Sequence, residues 1–141
     1  MKFYVATSAL RLGEMQMVRN LLTAAGHEIS FDWTVFGDLS GKPPELLQAA
    51  AHAETVGILD ADFLVVLLPG RRGTYAEVGM TSLMAVLAER GLLKPKPTFM
   101  HSFTGADFEG EAMNFYFHSQ AHHITTPSLP DFVGQVIEAM A

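Results

Sequence analysis

Cysteine is absent from the 141 residues, which excludes disulfides, thiolate metal sites and cysteine nucleophiles. Basic side chains are scarce. Nine Lys and Arg stand against fifteen Asp and Glu, giving a formal charge of −6, the wrong balance for gripping a nucleic-acid backbone. No apolar run reaches the roughly 18 residues of a membrane-crossing helix, and the longest is the short Phe63 to Leu68. The N-terminal Met1-Lys2-Phe3-Tyr4-Val5-Ala6 lacks the apolar core and cleavage site of a secretion signal, so a cytoplasmic protein with no membrane partner is expected. Internal repeats, linkers and low-complexity tracts are also missing. Apolar side chains are plentiful, at 49% of residues, which is enough for a folded core. The length fits one domain spanning residues 1–141.

Hydrophobic periodicity divides the chain into alternating strands and helices. Lys2 to Ala6 reads as a strand and Thr7 to Gly13 as a polar loop. Met15, Met17, Val18, Leu21 and Leu22 recur at helical spacing from Glu14 to Ala25, with Gly26 as the stop. Ile29, Phe31 and Trp33 alternate as on a strand from His27 to Trp33. Phe36 to Pro44 is loop, and Pro44 starts a helix that runs to about Asp60. Phe63 to Leu68 is apolar without alternation, as in a strand covered on both faces. A tight turn from Pro69 to Gly73 leads to a helix ending at Gly91, with Thr74 read as its N-cap. Pro97 to His101 and His122 to Thr125 read as further strands, and Ser128 caps a last helix. The predicted fold is α/β: a doubly wound, flavodoxin- or Rossmann-like, mostly parallel five-stranded sheet with helices on both faces.

In such sheets ligands bind beyond the C-terminal strand ends. The candidates are therefore Thr7 and Ser8 after the first strand, Asp32 and Trp33 after the second, and Gly70, Arg71, Arg72, Gly73 and Thr74 after the third. Glycines and free N–H groups at a helix start favour an anion, and the arginines add a charge-assisted clamp for phosphate or carboxylate. Glu77 lies on the helix that follows. Its local pattern also fits the N3 glutamate of a capping box with Thr74. His118, His122 and His123 lie close together, but their spacing does not match a helical ligand pair and no carboxylate joins them, so no metal is expected.

The stretch from Glu54 to Met80, with Ala61-Asp62 opening the third strand and Gly73-x-x-x-Glu77-x-Gly79 after it, resembles the nucleoside 2-deoxyribosyltransferase family. That superfamily includes the 2′-deoxynucleoside 5′-monophosphate N-hydrolases. Phe3 to Ser8, Asp32-Trp33-Thr34 and Phe115-Tyr116-Phe117-His118 are similar to other parts of the family, in the same order. The resemblance implies cleavage of the N-glycosidic bond of a (2′-deoxy)nucleoside or its 5′-monophosphate, by hydrolysis or by transfer to another base, with no cofactor. Glu77 matches the family's nucleophile. Glu54, eight positions before Asp62, stands where the family has a second acidic residue, usually Asp. Tyr4 matches the tyrosine that orients the nucleophile. Asp32 and Trp33 would hold the base, Arg71 the 5′ group, and Asn114 and His118 the rim of the site, in trans within a homodimer or higher homo-oligomer.

Other readings stay open. Pro69-Gly70-Arg71-Arg72-Gly73-Thr74-Tyr75-Ala76-Glu77 also resembles the Pro-Gly-Gly-x-Gly-Thr-x-x-Glu motif of the Lonely Guy phosphoribohydrolases, with Arg71 in place of a glycine. A non-catalytic nucleotide sensor would keep the pocket without the turnover. An FMN carrier is disfavoured, because Thr7-Ser8-Ala9-Leu10 is too short and apolar for its phosphate loop.

Overall fold

The computed structural model describes residues 1–141. Its strands are β1 (Lys2–Ala6), β2 (Glu28–Ile29), β3 (Phe63–Leu67), β4 (Thr98–Ser102) and β5 (Ala121–Thr125), and its helices are α1 (Leu12–Ala24), α2 (Pro44–Asp60), α3 (Arg72–Glu89) and α4 (Leu129–Met140). The strands form one sheet in the order β2-β1-β3-β4-β5, and all pairings are parallel. All five residues of β3 are buried, as its unbroken apolar run requires.

Alternation along the strands sends side chains to two apolar layers. Phe3, Val5, Phe63, Val65, Leu67 and Phe99 pack against Met15, Val18 and Leu22 of α1 and Phe132, Val133 and Val136 of α4. Tyr4, Ala6, Leu64, Val66 and Met100 pack against Ile58 of α2 and Val78 and Met84 of α3. Each large apolar side chain sealed in this way stabilises the fold by about 1.5–3 kcal/mol. The α2 layer needs an unusually close approach at Gly57. A Cβ there would stand 2.4 Å from the Phe31 Cβ and 3.3 Å from a Tyr4 ring carbon.

Local chemistry sets most element ends. Ser128 Oγ accepts from the Asp131 N–H at 3.2 Å to start α4, and Pro44 opens α2 where its missing N–H costs nothing. Two expectations are corrected. The strand expected from His27 to Trp33 pairs only over Glu28–Ile29, because Asp32 caps a 3-10 turn over Trp33–Phe36 by accepting from the Thr34 N–H at 3.0 Å. Thr74 is not the N-cap of α3. The helix begins at Arg72, and Thr74 sits at its third position with Oγ1 accepting from the Arg71 N–H at 3.3 Å. Glu77 therefore lies too deep in α3 to close a capping box.

The chain leaves β1 toward β2 on one side and reaches β3 on the other, so the winding reverses between β1 and β3. The crevice beyond their C-terminal ends is where this topology opens a binding site.

Candidate active site

Three contiguous hollows fill that crevice. The innermost, about 340 Å³, is walled by Glu54, Glu77, Trp33, Thr7 and Gly73, and by Asp38, Leu39 and Ser40 of the loop after β2. A second, about 540 Å³, extends over the start of α3 past Ser8, Arg71, Arg72 and Thr74. A third, about 420 Å³, runs over Leu10, Leu12, Trp33 and Thr34. One end is thus acidic, one basic and one largely apolar.

The acidic end is held by α2 and α3 over β1. Glu77 is only 9% exposed, and its Oε2 has no hydrogen-bond partner. Burial raises its pKa well above the ordinary carboxylate value, and the charge of Glu54 raises it further. Glu54 is half-buried, and burial raises its pKa too. The Tyr4 hydroxyl is fully buried and likewise unpartnered. It lies close enough to Glu77 for a weak hydrogen-bonding coupling that perturbs both proton affinities, although the contact falls outside strict hydrogen-bond geometry. Burial first, then the negative charges of Glu77 and Glu54, keep the Tyr4 hydroxyl protonated far beyond the usual tyrosine range. A buried carboxyl and a buried hydroxyl without partners are costly, and such atoms cluster where a ligand supplies the missing contacts.

The basic end is built on the turn between β3 and α3. Arg71 and Arg72 are exposed along the hollow, and the first turn of α3, with N–H groups that have no partner within the helix, borders it. Gly70 fits under Thr74 without room for a side chain, since a Cβ would lie 2.4 Å from the threonine's methyl carbon. Arg11 fastens this rim. It donates to the Pro69 carbonyl at 3.2 Å, pairs with Glu14 and lies over the Phe103 ring at 5.5 Å, joining the loops after β1, β3 and β4. The Thr7 hydroxyl donates to the Leu67 carbonyl at 3.0 Å and ties the first loop to β3.

Among the residues picked out in the sequence, Thr7, Ser8, Trp33, Glu54, Arg71, Arg72, Gly73, Thr74 and Glu77 all line the cleft. Tyr4 sits beneath its floor. The structure places four others elsewhere. Gly70, in the turn under Thr74, borders none of the three hollows. Asp32 is engaged by Arg19 at 2.7 Å and by the Thr34 N–H and hydroxyl, and these bonds outweigh its burial and lower its pKa. Asn114 is exposed and borders none of the three hollows. His118 meets the Thr81 hydroxyl on α3 at 3.0 Å, and burial, then His123 and His122, lower its pKa. No group of three His, Asp or Glu side chains is arranged to hold a metal ion. The sequence reading missed Asp38, Leu39 and Ser40. The segment between Gly37 and Gly41 that holds them was legible as a loop after the Trp33–Phe36 turn, but no signal placed it over the cleft.

By sequence, no family model and no curated protein matches the chain. Solved structures do match. The CMP N-glycosidase BcmB of Clostridium botulinum superposes with a TM-score of 0.63 at 14% identity, over 99% of each chain. A 2-deoxyribosyltransferase of Bacillus psychrosaccharolyticus gives 0.63 at 18% identity, over 93% of this chain and 89% of its own. The fold is theirs. A conserved protein of Enterococcus faecalis V583 also shares it, with a TM-score of 0.57 at 18% identity over 100% of this chain and 99% of its own. No helix of the chain is long and apolar enough to cross a membrane.

Proposed function

We propose that the protein cleaves the N-glycosidic bond of nucleosides or their 5′-monophosphates, with Glu77 as nucleophile. The observation that carries this reading is the buried, unpartnered carboxyl of Glu77 at the inner end of the cleft, with the Tyr4 hydroxyl beneath it and Glu54 on the facing helix. The N-glycosidase and deoxyribosyltransferase named for the two structural neighbours support the reaction class.

The steps follow from the groups present. An ionised Glu77 oxygen bonds to C1′ of the sugar while the C1′–N bond breaks, and its electron pair leaves with the base. The two carboxyls form a coupled pair that shares a proton, and the form with that proton on Glu54 delivers it to the departing nitrogen. Water then attacks C1′, Glu54 takes back a proton, and the ester bond to Glu77 breaks. Tyr4 donates to whichever Glu77 oxygen carries negative charge. A 5′-phosphate fits the basic end, where Arg71, Arg72 and the start of α3 offer donors. Transfer to a second base follows the same first half.

The test is to incubate the protein with each nucleoside, 2′-deoxynucleoside and 5′-monophosphate and to measure free base by chromatography. Glu77→Ala is expected to lower base release by roughly 10⁴-fold or more. Full activity in that variant would sink the scheme. A second free base in the mixture separates transfer from hydrolysis.

A further inference from the structure

Asp38 and Ser40 border all three hollows, the acidic, the basic and the apolar. A ligand that fills the cleft must therefore present its middle part to this loop. In a nucleotide with its phosphate at Arg71 and Arg72 and its base over Trp33, the middle part is the sugar. C1′ has to stand against Glu77, and Asp38 shares that compartment. The sugar carbon next to C1′ carries the 2′ substituent. Of the two aspartates after β2, Asp38 is the one left free for a ligand, because Asp32 is consumed by Arg19 and Thr34. Its carboxylate is aimed by the Ser40 N–H, which donates to Oδ1 at 2.8 Å. A carboxylate offers about four lone-pair sites, so acceptor capacity remains, and it is a known partner for a ribose 2′-hydroxyl.

Resting on the N-glycosidic reading of the same cleft, we infer that Asp38 receives the sugar's 2′-hydroxyl and makes ribonucleotides the favoured substrates over their 2′-deoxy counterparts. The chemistry agrees with the need. A 2′-hydroxyl withdraws electrons and opposes positive charge at C1′, and a hydrogen bond from it to a carboxylate offsets that effect. Bonds to this hydroxyl strengthen as the oxocarbenium ion develops. The 3′-hydroxyl is common to both sugars and cannot discriminate between them.

The experiment uses Glu77→Gln protein, which is expected to hold nucleotides without turning them over. Thermal shifts are measured with matched pairs of ribo- and 2′-deoxyribonucleoside 5′-monophosphates, one pair for each base, and converted to affinities. The ribonucleotides are expected to bind about tenfold more tightly, the scale of one hydrogen bond to a charged acceptor. Adding Asp38→Ala is expected to bring the ratio close to one, and Asp38→Asn to leave an intermediate ratio. Asp38 is exposed, so both variants fold. An unchanged ratio in both, or tighter binding of the deoxy series when Asp38 is intact, overturns the inference while leaving the N-glycosidic reading in place. If neither these nucleotides nor the matching nucleosides shift the melting temperature, the N-glycosidic reading fails and takes this inference with it.

Discussion

The two faces of the sheet receive the same strands and are built to opposite rules. Under α1 and α4 the layer is almost entirely apolar, with Phe3, Phe63 and Phe99 meeting Met15, Leu22 and Phe132. The buried imidazole of His101 on that side is tied through Nε2 to the Thr126 carbonyl at 2.8 Å, although its Nδ1 finds no partner, and burial keeps it neutral. Under α2 and α3 the layer admits Tyr4 and Glu77, both with polar atoms left unpartnered. One face holds the molecule together. The other leaves the Glu77 carboxyl and the Tyr4 hydroxyl without partners at the edge of the cleft, at an energetic cost. The difference lies in the kind of group left unpartnered: imidazole nitrogens of His27 and His101 on the α1 and α4 side, but a carboxyl and a phenol hydroxyl, groups able to bond to or protonate a ligand, on the α2 and α3 side.

The largest test breaks the quiet face. Phe132→Ala removes a fully buried ring and is expected to cost about 3–5 kcal/mol of stability in denaturant unfolding. Base release per folded molecule should stay near that of the parent protein. A fall in activity without a fall in stability would contradict the division of labour between the faces.

The working face should respond in the opposite direction. Burial raises the pKa of Glu77, so the folded state holds its proton more tightly than the unfolded chain does. The stability this contributes is complete below the unfolded carboxylate pKa and is lost as pH rises through the folded one. Glu77→Gln removes that loss. The variant is expected to gain about 0.5–2 kcal/mol at pH 8 and distinctly less at pH 5, read from melting temperatures at the two pH values. An equal effect at both would mean that the carboxyl is not perturbed.

A subtler effect concerns the second carboxylate. The charge of Glu54 helps to raise the Glu77 pKa, and the proposed mechanism needs ionised Glu77, so activity is expected to climb with pH through that value. Glu54→Gln is expected to lower the maximum rate by about 10²-fold and to move the acidic limb of the profile to lower pH. A limb that does not move would separate the two carboxylates electrostatically.

Much of this was legible in the residues. The unbroken run from Phe63 to Leu67 marked a strand covered on both faces, and Pro44 and Ser128 marked helix starts, because each signal is local and strong. The cleft was legible through its turns, with Ser8, Arg71 and Glu77 on its walls. Two misreadings came from local patterns overruled by contacts made elsewhere. Ile29, Phe31 and Trp33 alternate as in a strand, but the edge of the sheet gives them no second neighbour. The Asp32 cap and the bond from the Trp33 indole N–H to the Val5 carbonyl, at 2.8 Å, turn the chain away. Thr74 looked like a cap, but α3 had already begun at Arg72. Asp38 went unnoticed because nothing in a short exposed loop reveals which cavity it overhangs.

Gly57 carries no chemistry, yet it governs a dimension that chemistry depends on. It lies almost one turn beyond Glu54 on α2, pressed against Phe31 and the Tyr4 ring, so the missing methyl group decides how low that helix rides over the sheet. In glycoside cleavage the gap between two carboxylates determines whether a water molecule fits between them, and with it whether the sugar keeps or inverts its configuration. A spacer one carbon thicker would lift Glu54 away from Glu77 without altering any reacting group. The height of Glu54 over the sheet is in that sense set by a hydrogen atom at a position that lines none of the three hollows.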